Sequence, residues 1–98
     1  MHARVTMVEG SPDRVDAGIK SYEEGILPIV QAGSGYRGTM LLVNRSTGKG
    51  MGVSLWETED DLRAIDQKVA EARKATIEEM GGSVPPVDEY EVAVSDFR

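Results

Sequence analysis

Five side chains in this 98-residue sequence have types and positions that could do more than pack: Trp56, Tyr22, Tyr36, Arg37 and Met40. An indole at a strand end can stack on a flat aromatic molecule and donate one hydrogen bond; otherwise it is a large core or interface residue. Tyr22 and Tyr36 could line the same space between a first helix and a sheet, with Met7, Met40 and Met51 as adaptable walls, or could belong to the core. Arg37 could hold an anionic group or stabilise an enolate, whereas a strand arginine more commonly pairs with a carboxylate at the rim. Gly38 and Gly52 leave space on a sheet, either as pocket volume or for close backbone packing. The chemistry these residues suit is the binding of a hydrophobic, aromatic small molecule.

Other formal matches fail on context. Gly33-Ser34-Gly35-Tyr36-Arg37-Gly38 satisfies G-x-G-x-x-G but follows a helix and opens a strand, the reverse of what a dinucleotide site needs. Gly48-Lys49-Gly50 lacks the upstream glycine and the hydroxyl of a phosphate loop and reads as a hairpin turn. Glu57, Asp60 and Asp61 are explained by helix capping and dipole compensation more simply than by a shared proton or a hard cation. There is no cysteine, and His2 is the single histidine, so no thiolate site, imidazole-rich metal site or Ser/His/Asp set can be assembled. No metal or cofactor is expected.

The elements that must position these residues follow from spacing. Residues 3–8 alternate, with Ala3, Val5 and Met7 on one side and Arg4, Thr6 and Val8 on the other, which predicts a strand. Ser11-Pro12-Asp13 predicts a helix start capped by Ser11, and Val15, Ile19, Tyr22, Ile26 and Ile29/Val30 form its apolar stripe. Pro28 removes a donor and crowds the carbonyl four residues earlier, so a kink is expected near 24–28. Residues 36–44 and 51–56 read as a hairpin of two strands. Thr58 with Asp61 resembles a capping box opening a second helix with the stripe Leu62, Ile65, Val69, Ala72 and Thr76/Ile77, stopped at Gly81-Gly82. Val84-Pro85-Pro86 reads as an extended connector, and residues 87–97 alternate as a last strand. The order is βαββαβ in one domain spanning residues 1–98.

Composition limits what such a domain can do. The chain carries −6 overall, but residues 1–56 hold net +1 and residues 57–98 net −7. An acidic pole of this kind disfavours nucleic acid, whose binding needs a basic face that releases counterions. No apolar run reaches the length of a membrane span, and Met1 to Thr6 lack a signal-peptide core, so a cytoplasmic protein is expected. Met40-Leu41-Leu42-Val43 and Val92-Ala93-Val94 place apolar groups on both faces of the sheet, while two helices cover only one. A second copy of the chain is the simplest cover for the other, and each aliphatic side chain it buries stabilises association by roughly 1.5–3 kcal/mol before entropy costs.

The βαββαβ order, Ile26-Leu27-Pro28, the strand Gly35-Tyr36-Arg37-Gly38-Thr39-Met40-Leu41-Leu42 and Leu55-Trp56-Glu57-Thr58 together resemble the antibiotic biosynthesis monooxygenase family. The resemblance implies an α+β, ferredoxin-like sandwich forming a dimeric α/β barrel. It also implies a small-molecule ligand and, among activities, cofactor-independent oxygenation. Haem-degrading members carry an asparagine on the first strand, a tryptophan ending the third and a histidine on the second helix; only Trp56 matches. Polyketide oxygenases of the family have asparagine four residues before the tryptophan, where this chain has Gly52 and so no side-chain amide to hold an oxyanion or peroxide. The sequence leaves two functions standing, an aromatic-ligand protein with oxygenase potential and a non-catalytic dimeric module.

Overall fold

The computed structural model describes residues 1–79 and 87–97, with the side chains of residues 76 and 77 excepted. Four strands, β1 (His2–Glu9), β2 (Tyr36–Val43), β3 (Lys49–Trp56) and β4 (Val87–Glu91), form one sheet in the order β2-β3-β1-β4. Every pairing is antiparallel. Between β1 and β2 run a 3₁₀ turn (Pro12–Arg14), α1 (Val15–Ser21), a π-helical turn (Tyr22–Ile26) and α2 (Leu27–Gln31); α3 (Glu59–Glu79) links β3 towards β4. The architecture is the expected α+β ferredoxin-like sandwich. The Gly81-Gly82 stop, the Val84-Pro85-Pro86 connector and the side chains of Thr76 and Ile77 lie outside what is described.

The register sorts the sheet into rungs. On the face beneath the helices, Tyr36, Trp56 and His2 share one rung, then Thr39, Ser54 and Arg4, then Leu41, Gly52 and Thr6, then Val43, Gly50 and Val8. Tyr36 joins this series through a bulge before Gly38. The opposite face carries Ala3, Val5 and Met7 beside Leu55, Val53 and Met51, with Met40 and Leu42 on β2. Met7, Met40 and Leu42 there are 44–48% exposed. The helix layer therefore covers the more polar face, and the more apolar face is open.

The core fills one end of the covered face. Trp56 is fully buried among Ile26, Val30, Leu62, Ile65 and Val69, and Tyr36 meets its ring edge-on at 5.8 Å. Gly33 has to be a glycine because a Cβ there would lie 2.9 Å from the indole and 3.0 Å from Ile65 Cδ1. Thr58 caps α3, its hydroxyl accepting the Asp61 N–H at 3.1 Å. The same hydroxyl donates to the Asp61 carboxylate at 2.9 Å.

Three details differ from the sequence reading. Ser11 makes no side-chain cap; its carbonyl instead accepts the Arg14 N–H, closing a 3₁₀ turn. The kink expected near Pro28 takes the form of the π turn. Pro28 cannot donate to the Glu24 carbonyl and its ring crowds that oxygen, so the winding widens and the Leu27 N–H reaches back to the Tyr22 carbonyl. The last strand stops at Glu91 rather than Phe97, because Glu91 already stands opposite His2 and only the Val92 N–H to Met1 carbonyl bond continues the ladder. Val94 and Phe97 beyond it are exposed.

Gly33→Ala is expected to destabilise the domain by about 1–3 kcal/mol through overpacking against a rigid ring. Gly25→Ala, whose new Cβ would meet only the Ala72 methyl at an ordinary 4.0 Å, is expected to be neutral or slightly stabilising. Chemical denaturation of the pair measures both.

Candidate functional site

Beyond the Trp56 end, the space between sheet and helices opens into a cleft. Its floor is the two rungs of Thr39, Ser54 and Arg4 and of Leu41, Gly52 and Thr6; its roof is Tyr22, Ile26, Val30, Val69 and Arg73. Its cavity volume is about 40 Å³, room for a few waters, and the empty space between the lining residues is about 530 Å³ when the open mouth is counted. Gly52 creates part of this space: a Cβ built there would meet nothing within 4 Å. The π turn sets the roof, since it holds both Tyr22 and Ile26.

Polar groups converge on an otherwise apolar lining. The Tyr22 and Thr39 hydroxyls lie 2.6 Å apart, and the Thr39 hydroxyl donates to the Val53 carbonyl at 3.0 Å. With the Thr39 proton committed there, the Tyr22 phenol is the donor of the pair and its own oxygen stays open to accept. Burial pushes the Tyr22 phenol above its ordinary value; Tyr36 adds to this, and Thr39 and Arg4 work against it. Ser54, buried beside Thr39, accepts the Trp56 indole N–H at 2.9 Å.

Two arginines complete the cleft. Arg4 is buried on β1 and reaches α3, where Asp66 Oδ1 accepts from its Nε at 2.9 Å and from its Nη2 at 2.7 Å. Arg73 stands two helical turns beyond Asp66, with Val69 between them on the same stripe. Its Nε and Nη1 are shut off from solvent and have no hydrogen-bond partner among the described residues.

The five residues singled out from sequence are divided by this geometry. Tyr22 lines the cleft. Trp56 is not among the residues lining it; its ring is enclosed in the core and its N–H donates to Ser54. Tyr36 packs edge-on against Trp56 and is not among the residues lining the cleft. Arg37 pairs with Glu57 at 2.7 Å in solvent, as a rim arginine does. Arg37 and Met40 border a second, more open groove with Gly38, Thr39, Val53, Leu55 and Phe97, with a cavity volume of about 230 Å³, which includes residues of the open sheet face. Arg4 and Arg73 were missed. The signal available was their placement, Arg4 alternating with Thr6 on one strand face and Arg73 seven residues after Asp66 at the edge of an apolar helix stripe. Among the described residues, no three His, Asp or Glu side chains converge as metal ligands, and no helix is long and apolar enough to cross a membrane.

No family model matches the sequence. The chain is 32% identical over 93 residues to Rv2557, an uncharacterized protein of Mycobacterium tuberculosis, covering 95% of this chain and 41% of that one. It thus spans about two fifths of the length of the curated relatives it matches. Among solved structures, it superimposes on a protein from Deinococcus radiodurans described as a candidate antibiotic biosynthesis monooxygenase, with a TM-score of 0.77 and 12% identity, covering 100% of this chain and 98% of that one. It also superimposes on a Streptomyces coelicolor monooxygenase solved with the ligand nanaomycin D, with a TM-score of 0.69 and 16% identity, covering 90% and 81%.

The Tyr22 shift has a consequence for stability. A phenol whose value is raised by folding keeps its proton to higher pH than the unfolded chain does, so stability is lost as pH rises above about 10, the unfolded value, and the loss levels off beyond the folded one. Tyr22→Phe is expected to cost about 1 kcal/mol at neutral pH, from the hydrogen bond to Thr39, and to remove this alkaline component. Denaturation at pH 7 and above pH 10 measures both. Rung order, helix layer and superposition give the chain the ferredoxin-like fold of the antibiotic biosynthesis monooxygenase structures.

Proposed function

We propose that the protein is a homodimer that binds a hydrophobic or aromatic small molecule in the cleft between β1–β3 and the helices. The observation that carries this reading is the cleft itself: apolar walls from Val8, Ile26, Val30, Leu41 and Val69, with Tyr22, Thr6, Arg4 and Arg73 converging on it. A few precisely placed polar groups in an apolar concavity is the usual composition of a ligand site. The nanaomycin D complex of the Streptomyces coelicolor monooxygenase supports it at the level of fold. One feature supports the second copy: the open face exposes Met7, Met40, Leu42 and Tyr90.

Oxygenation is a further step this site could take without a cofactor. Oxidation of an anthrone-type CH₂ to a carbonyl by O₂ releases one water and needs no external reductant, provided the substrate loses a proton and its carbanion meets oxygen. On this reading the residues that act are those of the cleft, Tyr22 orienting the ring and Arg4 and Arg73 stabilising negative charge. One observation favours the non-catalytic alternative: Gly52 places no amide where the resembling oxygenases have asparagine, and the space above it is empty.

The test is titration with 2-naphthol followed by calorimetry, on the wild type and on Gly52→Val. The valine suits a strand and fills the cleft floor without touching the open face. The expected result is measurable binding that the variant weakens tenfold or more at unchanged Tm. Absence of binding, or binding that Gly52→Val leaves intact, contradicts the assignment. Oxygen uptake with an anthrone on the same two proteins separates enzyme from module: turnover lost with the valine means an oxygenase, and no turnover despite binding means a module.

A further inference from the structure

The charges around the cleft do not balance within the chain. Asp66 accepts two hydrogen bonds from Arg4, so this pair is closed apart from an Arg4 Nη1 contact of 3.5 Å with the Thr6 hydroxyl. Arg73 has no such partner. Two of its nitrogens are out of water with no acceptor among the described residues, although it lines an open cleft. Removing a guanidinium N–H from water without an acceptor is unfavourable, and an arginine cannot escape that cost by giving up its proton as a buried lysine does. Burial lowers the Arg73 value, Arg4 adds to this, and Asp66 opposes it.

We infer that the ligand of this cleft carries an acid group, and that Arg73 receives it. The inference rests on the proposed binding function and narrows its ligand to an amphipathic monoanion, an aromatic or aliphatic carboxylate. A monoanion matches because one cation is left over once Arg4 is balanced by Asp66; a phosphate dianion would need a second. The apolar walls of Val8, Leu41 and Val69 suit the body of such a molecule. The Tyr22 oxygen, free to accept, suits a hydroxyl on its ring. Arg73 is in this sense a specificity residue, choosing between an acid and its neutral analogue, while the walls choose between apolar and polar bodies.

A matched pair of probes, 2-naphthoate and 2-naphthamide, tests this, since they share size and ring and differ in charge. Both are titrated by calorimetry into the wild type, Arg73→Gln, Arg73→Lys and Gly52→Val. The wild type is expected to prefer the carboxylate by about tenfold or more, the range of a charge-assisted hydrogen bond. Arg73→Gln abolishes that preference while the amide still binds, Arg73→Lys keeps part of it, and Gly52→Val weakens both probes. Because an unpartnered charge is removed, the Tm of Arg73→Gln is expected to equal or exceed that of the wild type. Equal affinity for the two probes in the wild type, or a preference that survives Arg73→Gln, overturns the inference and leaves the binding function standing, provided Gly52→Val weakens both probes. If neither probe binds, the binding function fails and the inference with it.

Discussion

A four-stranded sheet with a single helix layer can bury only one of its faces, and this chain sets that layer over the face carrying Arg4, Thr6, Thr39 and Ser54. Among the described residues, no helix or strand covers the face with Val5, Met7, Met40, Leu42, Met51, Val53 and Leu55, which Phe97 only borders. Apolar area removed from water is the main favourable term in folding, so covering the more polar face alone forgoes much of it. The arrangement is consistent when a second sheet lies against the open face and the covered face has a use for its polar groups. The proposed dimer and the proposed ligand cleft thus answer one constraint.

The interior is divided accordingly. At one end Trp56, Leu62, Ile65 and Val69 make a closed core, and Gly33 lets the backbone pass against the indole. Two rungs along, Gly52 removes a side chain from the floor, and the π turn forced by Pro28 carries Tyr22 and Ile26 over the opening. The core end supplies stability, and the cleft end tolerates groups that a well-packed core would exclude, including the unpaired nitrogens of Arg73. Proteins concentrate such local conflicts where they bind ligands, because a partner can resolve them.

Much of the fold was legible in the sequence because it depends on local spacing. Alternation in residues 3–8, the stripe Leu62, Ile65, Val69, Ala72 and the Thr58–Asp61 cap each specify an element from its own residues, and Pro28 announced an irregular helix. What local spacing cannot supply is the strand partner. Residues 93–97 alternate like a strand, yet no strand backbone stands opposite them, because the β4 register has reached His2 by Glu91. The site was harder to read for a related reason. Which face of β1 the helices cover is decided by the whole sheet, so Arg4 could be assigned to a side but not to the inside. Trp56 and Tyr36 drew attention by size, and size is also what a core requires. Arg73 is visible only once α3 is docked and its stripe is seen to continue past Val69 into the cleft.

The most direct test of this account is the mass of the chain in solution, measured by sedimentation velocity across a range of concentrations. Coverage of the open sheet face by a second copy predicts a dimer of the 10.6 kDa chain that persists on dilution. A monomer at all concentrations would mean that Met7, Met40 and Leu42 remain in water, and would contradict the claim that the chain's polar interior is stable because its apolar face is buried elsewhere.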